Sequence, residues 1–183
     1  MTRRWLFADQ LGPHHLDSAD QPVLLVESRA VLRRRRFHRA KAHLLLSGLR
    51  HLASELGEQA IFLQVDSYDD ALEQVTEPLD VVQPTSWAAD RFVRARGLPV
   101  LPPRGFATSR EDFADWADGR RRLLMEDFYR WQRTRHDLLL EGTDPVGGRW
   151  NFDHDNREPP PRTATLGLTG PWLPDEDDID AEV

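Results

Sequence analysis

Asp9 and Gln10 stand at the end of the first apolar run of the chain, and Thr85 and Ser86 stand just past the fourth. An acid, an amide and two hydroxyls brought together could hydrogen-bond the edge of a small planar ligand, with Asp9 accepting and the hydroxyls donating. The same Asp9 and Gln10 could instead tie their own loop to neighbouring backbone. A second group of polar residues follows Glu27: the basic run Arg33-Arg34-Arg35-Arg36-Phe37-His38-Arg39-Ala40-Lys41. Guanidinium forks match phosphate oxygens, so this run suits either a phosphate or nucleic-acid contact or a solvated helix start.

Other chemistries find no support. The 183 residues include no cysteine, which excludes disulfides, thiolate nucleophiles and Cys-held iron–sulfur clusters within this chain. Neither a Gly-x-Gly-x-x-Gly turn nor a Walker pattern is present, so a dinucleotide held in the usual way is disfavoured. His38 and His43 are five apart and do not share a helix face, so no metal site is expected from them. Asp153-His154-Asp155-Asn156 lacks the glycine that a calcium loop needs at its sharp turn. No serine sits in a nucleophile elbow, and no catalytic residue is assigned. The aromatic stretch Met125–Trp131 could serve electron transfer or stacking, but its helical spacing fits packing better.

The formal charge is −7, yet six of the last nine residues are acids, which leaves the body of the chain close to neutral. Total charge therefore does not decide whether a polyanion binds. No stretch approaches the roughly 20 apolar residues of a membrane span, and no signal-like run follows Met1, so a cytoplasmic protein without membrane contact is expected.

A parallel sheet would bring Asp9 and Thr85 to the carboxyl ends of its strands. Short apolar runs at Trp5–Ala8, Val23–Glu27, Ile61–Val65, Leu79–Gln83 and Leu98–Leu101 alternate with helical patterns. The expectation is an α/β fold: a doubly wound, Rossmann-like parallel sheet of about five strands with helices on both faces. Helices are predicted over 37–56, 68–75, 87–96, 109–117 and 121–140. An α/β domain over 1–140 would precede a linker segment over 141–183, in which Glu158-Pro159-Pro160-Pro161 favours an extended conformation. Pro174 and the acids after it read as the start of a helix that continues beyond Val183, or as a disordered acidic tail. The first reading makes the chain a fragment of a longer protein.

Five segments occur in a telling order: Phe7-Ala8-Asp9-Gln10-Leu11, His38-Arg39-Ala40-Lys41, Ser47-Gly48-Leu49-Arg50-His51, Leu124-Met125-Glu126-Asp127-Phe128-Tyr129-Arg130 and Gly147-Gly148-Arg149-Trp150-Asn151-Phe152-Asp153-His154-Asp155-Asn156-Arg157. Together they resemble the photolyase-related proteins of the prokaryotic iron–sulfur (6-4) branch of the photolyase/cryptochrome family. The resemblance implies an N-terminal α/β antenna domain. A larger helical domain would bind FAD and a four-cysteine iron–sulfur cluster and repair (6-4) photoproducts in DNA under blue light. With no cysteine here, those cofactors are expected only in a missing half, and this chain would be inactive in repair alone.

By the same resemblance, the domain would hold an antenna chromophore such as 6,7-dimethyl-8-ribityllumazine. The residues expected around it are Phe7, Ala8, Asp9, Gln10, Glu27, Arg34, Leu45, Thr85 and Ser86. Ala8 stands where the family has glycine, Val31 and Arg34 replace a glutamate and a tyrosine, and Gln83-Pro84-Thr85-Ser86-Trp87 replaces Glu-Pro-Gly-Glu-Trp. Losing an acceptor and a ring while gaining a cation leaves lumazine, a phosphorylated chromophore such as flavin mononucleotide, and an empty pocket all open. The expected partners are the chromophore and an FAD-binding helical domain, in cis or in trans, with DNA met only through the full-length protein. A different reading is a non-enzymatic interaction or light-sensing module that docks onto a flavoprotein through Trp150–Arg157. A stand-alone nucleotide-binding enzyme is the third.

Overall fold

Apolar residues on both sides of each short strand call for a sheet covered on two faces, and the structure, a computed structural model, has that form. It describes residues 1–34, 36–157, 159 and 175–183. The strands are β1 (Arg3–Leu6), β2 (Val23–Ser28), β3 (Ala60–Val65), β4 (Leu79–Val82) and β5 (Val100–Leu101). All pair in parallel, in the order β3-β2-β1-β4-β5. This is the doubly wound, Rossmann-like α/β arrangement, and its strand order reverses between β1 and β4.

Trp5, Leu24, Val26 and Val81 pack on one face against Ala71, Val75 and Val93. Leu6, Val23 and Leu25 pack on the other against Leu49, with Leu52 and Leu56 beside it. Each such side chain withdrawn from water contributes about 1.5–3 kcal/mol. The helices of this unit are α1 (Arg29–Arg34), which buries no residue, and the covering helices α2 (Arg39–Leu56), α3 (Tyr68–Gln74) and α4 (Trp87–Ala95). Their ends follow local chemistry. His38 Nδ1 accepts from Ala40 N–H at the start of α2, and Gly57 takes φ +53 at its end. Ser67 and Asp70 form a reciprocal capping box on α3, and Ser86 Oγ accepts from Ala89 N–H on α4.

The first strand begins earlier than predicted, at Arg3, because Arg4 is buried rather than solvated. Arg4 Nε donates to Asp80 at 2.6 Å and Nη2 to Asp17 at 2.9 Å, while Nη1 donates to the His15 carbonyl. A guanidinium with its donors used this way can stand in a strand interior. The basic run is split: Arg33 and Arg34 close α1, where cations suit the negative end of the helix dipole, and Arg39 to Lys41 open α2, as expected of a helix start.

The chain divides into two compact units, Met1–Ser109 with Pro174–Val183, and Arg110–Leu173. The second contains α5 (Arg110–Ala117), α6 (Met125–Arg135), the antiparallel pair β6 (Leu140–Glu141) and β7 (Asp144–Pro145), and the one-turn α7 (Asp153–Asn156). Phe113, Trp116, Phe128 and Trp131 form its ring cluster, with centroids 4.9 Å apart for Trp116 and Phe128. Phe128 and Trp131 of the aromatic stretch thus pack as its spacing suggested, whereas Met125 and Tyr129 are exposed. Helix α6 is shorter than the predicted 121–140, since Leu124 is extended and Asp137 and Leu139 adopt φ +51 and +53. The buried Arg133 guanidinium donates to the Leu138 and Leu139 carbonyls and so holds that turn.

Part of the expected linker, 158 and 160–174, lies outside the described residues; it includes Pro174 and all of Glu158–Pro161 but Pro159. The acidic stretch beyond forms one helical turn, α8 (Asp178–Ala181), opened by a capping box between Asp177 and Asp180. It rests on α2: His43 Nε2 lies 3.1 Å from the Asp180 carbonyl, and Arg50 Nη1 donates to the Glu182 carbonyl at 3.1 Å.

Candidate chromophore site

Segments leaving the carboxyl ends of β1 and β4 flank the point where strand order reverses, where a crevice is expected. A cavity of about 290 Å³ opens there. Its floor is aromatic. Phe7 stacks on buried Trp5 with centroids 4.8 Å apart, and Tyr68 meets both rings edge-on at 5.1 and 5.7 Å. Phe92 closes on Tyr68 at 5.5 Å. Burial, reinforced by the negative charge of Asp9, pushes the Tyr68 phenol up to about 12.

One wall carries Asp9, Thr85 and Ser86. The Thr85 hydroxyl donates to the Asp9 carboxylate, which joins the segments leaving β1 and β4 within this wall. Ser86 is occupied in part by capping α4. The opposite wall comes from the end of α1 and the start of α2, with Val31, Arg34, Phe37, Lys41 and Leu45. Among the described residues neither Arg34 nor Lys41 has an ion-pair partner.

Of the nine residues expected from the sequence, Phe7, Ala8, Asp9, Arg34, Leu45, Thr85 and Ser86 line this one cavity. Gln10 does not. It is 1% exposed, and its Nε2 donates to the Val82 and Gln83 carbonyls at 3.3 and 3.1 Å while Oε1 accepts from Phe7 N–H. Its amide is fully used in binding the β1 loop to β4. Glu27 is likewise outside the lining. Both its oxygens accept from Arg50 at 3.2 Å, and Gln64 adds a third hydrogen bond.

The family model described as deoxyribodipyrimidine photo-lyase-related protein matches residues 4–183. The chain belongs to this photolyase-related family. A (6-4) photolyase of Agrobacterium fabrum is 35% identical over 179 residues, which is 84% of this chain and 35% of that protein. The photolyase-related chain thus spans about a third of that relative's length. A weaker likeness, 29% over 48 residues, links 26% of it to 24% of an uncharacterized protein of Acanthamoeba polyphaga mimivirus.

Within this photolyase-related chain, the Gly147-Gly148 pair has a steric reason. Gly147 has φ +82, and a Cβ there would lie 2.8 Å from Phe152 Cζ, while Gly148 has φ +75. The absence of cysteine from the sequence means these residues do not fit a Cys-held iron–sulfur cluster. The ring floor and the hydrogen-bonding wall do fit a planar heterocycle of modest size.

The sequence left Phe37, Lys41, Tyr68 and Phe92 out of the site. Tyr68 was signalled by its position directly after the Ser67 cap, at the helix start following a strand's carboxyl end. Lys41 lay in the basic run itself. Among the described residues, one cluster has metal-ligand chemistry: His51, Asp177 and Asp180. Its carboxylates are committed to the capping box of α8, and His51 Nε2 lies 3.3 Å from Asp180. No helix among the described residues is long and apolar enough to cross a membrane.

Proposed function

We propose that this chain is the light-collecting part of a photolyase-like flavoprotein, holding an antenna chromophore in the crevice beyond β1 and β4. The observation that carries the reading is the cavity itself: an aromatic floor beside a wall of an acid and two hydroxyls, at the ligand position of a doubly wound sheet. A ring slid over Phe7 and Tyr68 gains stacking and dispersion, and Asp9 with Thr85 hydrogen-bonds its edge. In this reading the chain supplies binding and orientation only. Flavin photochemistry and repair of (6-4) lesions in DNA belong to a longer protein, with an FAD-binding helical portion as partner in cis or in trans. In this reading the protein works in the cytoplasm.

An absorption spectrum of the purified chain, followed by titration with a ribityllumazine and with flavins, tests this. Saturable binding with quenched ligand fluorescence is expected. A chain that binds none of them loses the antenna role. The docking-module reading then takes its place, favoured by the exposed Leu138, Leu139 and Phe152 side chains of the second unit.

A further inference from the structure

We propose that the ligand of this cavity ends in a phosphate monoester held by Arg34 and Lys41, so that the domain selects a phosphorylated planar heterocycle over its dephosphorylated form. The inference rests on the chromophore-site reading and adds the ligand's charge.

The two polar walls are chemically opposite. Asp9, with Thr85, occupies the side nearest β4, whereas Arg34 and Lys41 come from the helices that follow β2. Asp9 follows β1 and Thr85 follows β4, whereas the cations follow β2 on the other side of β1. A fused ring system in the cavity can then set its hydrogen-bonding edge at Asp9 and its substituent toward the cations.

Two features favour an anion at the second wall. Arg34 and Lys41 both line the cavity, exposed and without an ion-pair partner among the described residues, so both can turn to a ligand. A phosphate there gains charge-assisted hydrogen bonds from them. The other place where phosphate could bind is the N-terminus of α4, beside Ser86. Asp9 guards that end with its own negative charge, so the anion is directed to the far wall. A neutral ribityl chain would leave Arg34 and Lys41 unused.

Flavin mononucleotide and riboflavin share one ring system and differ by the phosphate, so their titration by fluorescence quenching is the test. Flavin mononucleotide is expected to bind ~10- to 100-fold more tightly, the range for hydrogen bonds to charged groups. In the Arg34→Ala/Lys41→Ala double variant its affinity should fall to that of riboflavin. Arg34→Lys should retain most of the preference, and the double variant's melting curve checks that the fold persists. Equal affinities in the unaltered protein overturn the phosphate inference and leave the chromophore reading in place. Binding of a lumazine but of neither flavin has the same effect. Binding of none of the three overturns both.

Discussion

The Thr85 hydroxyl donates to the Asp9 carboxylate, linking the segments that leave β1 and β4 on either side of the strand-order reversal. The bond fixes the carboxylate in place and sets which of its lone pairs faces the cavity. A ring edge with N–H groups therefore meets an acceptor already oriented, with little further ordering to do on binding.

Asp9→Ala is accordingly expected to weaken chromophore binding by about 1 kcal/mol, the worth of one ordinary hydrogen bond. Thr85→Val should weaken it less, because the carboxylate remains. Isothermal titration with the best ligand measures both, and unchanged affinity in Asp9→Ala removes that residue from the site.

Gln10→Leu separates stability from binding. The buried amide satisfies the Val82 and Gln83 carbonyls and Phe7 N–H, so its loss should cost about 1–3 kcal/mol in urea unfolding. Ligand affinity, measured well below the unfolding transition, should change far less than in Asp9→Ala.

Arg4→Met leaves Asp80 without its 2.6 Å partner in the sheet and the His15 carbonyl without a donor. About 3–5 kcal/mol of destabilisation is expected for breaking a buried pair from one side. The double variant Arg4→Met/Asp80→Leu should recover much of it, and chemical denaturation of the set checks the coupling.

Two groups contribute to the pH dependence of the fold. Tyr68 is raised to about 12, so its contribution is whole below the ordinary value of 10 and is lost as pH rises through 12. In Tyr129→Phe the remaining tyrosine should titrate near 12 by phenolate absorbance, and Asp9→Asn should bring it down. His15 is held below its ordinary 6.5, first by burial and then by the charges of His14 and Arg104. Its contribution is complete above 6.5 and disappears as pH falls through the depressed value. His15→Gln should flatten the stability curve just below 6.5.

Gly147→Ala forces a side chain into a left-handed backbone and against the Phe152 ring. A local cost of about 1–2 kcal/mol is expected from the backbone alone. Faster proteolysis after α6, with α2 and the sheet still protected, is the readout.

Period and punctuation made most of the architecture readable. Buried parallel strands announce themselves as short apolar runs, and Ser67, Ser86 and Gly57 mark helix ends through their own hydrogen bonding or φ. Seven of nine expected site residues share one cavity because doubly wound sheets gather the loops after β1 and β4. What failed did so for physical reasons. A buried arginine is invisible until its partners are known, and Arg4 finds Asp80 only through strand pairing. Gln10 and Glu27 stand in the right loops, but their side chains turn toward β4 and Arg50, a choice that depends on tertiary neighbours. Helix α1 is too short to leave a periodic signature, and without it the cationic wall could not be placed.

The amide of Gln10 and the hydroxyl of Thr85 tie the segments leaving β1 and β4 into one wall that is continuous with the sheet. A guest held by its edge against such a wall cannot tumble independently of the sheet. Its transition dipole would keep a fixed bearing relative to the strands, and its emission would stay polarised for as long as the whole molecule takes to rotate. Orientation of that kind governs how efficiently excitation passes from one dye to another.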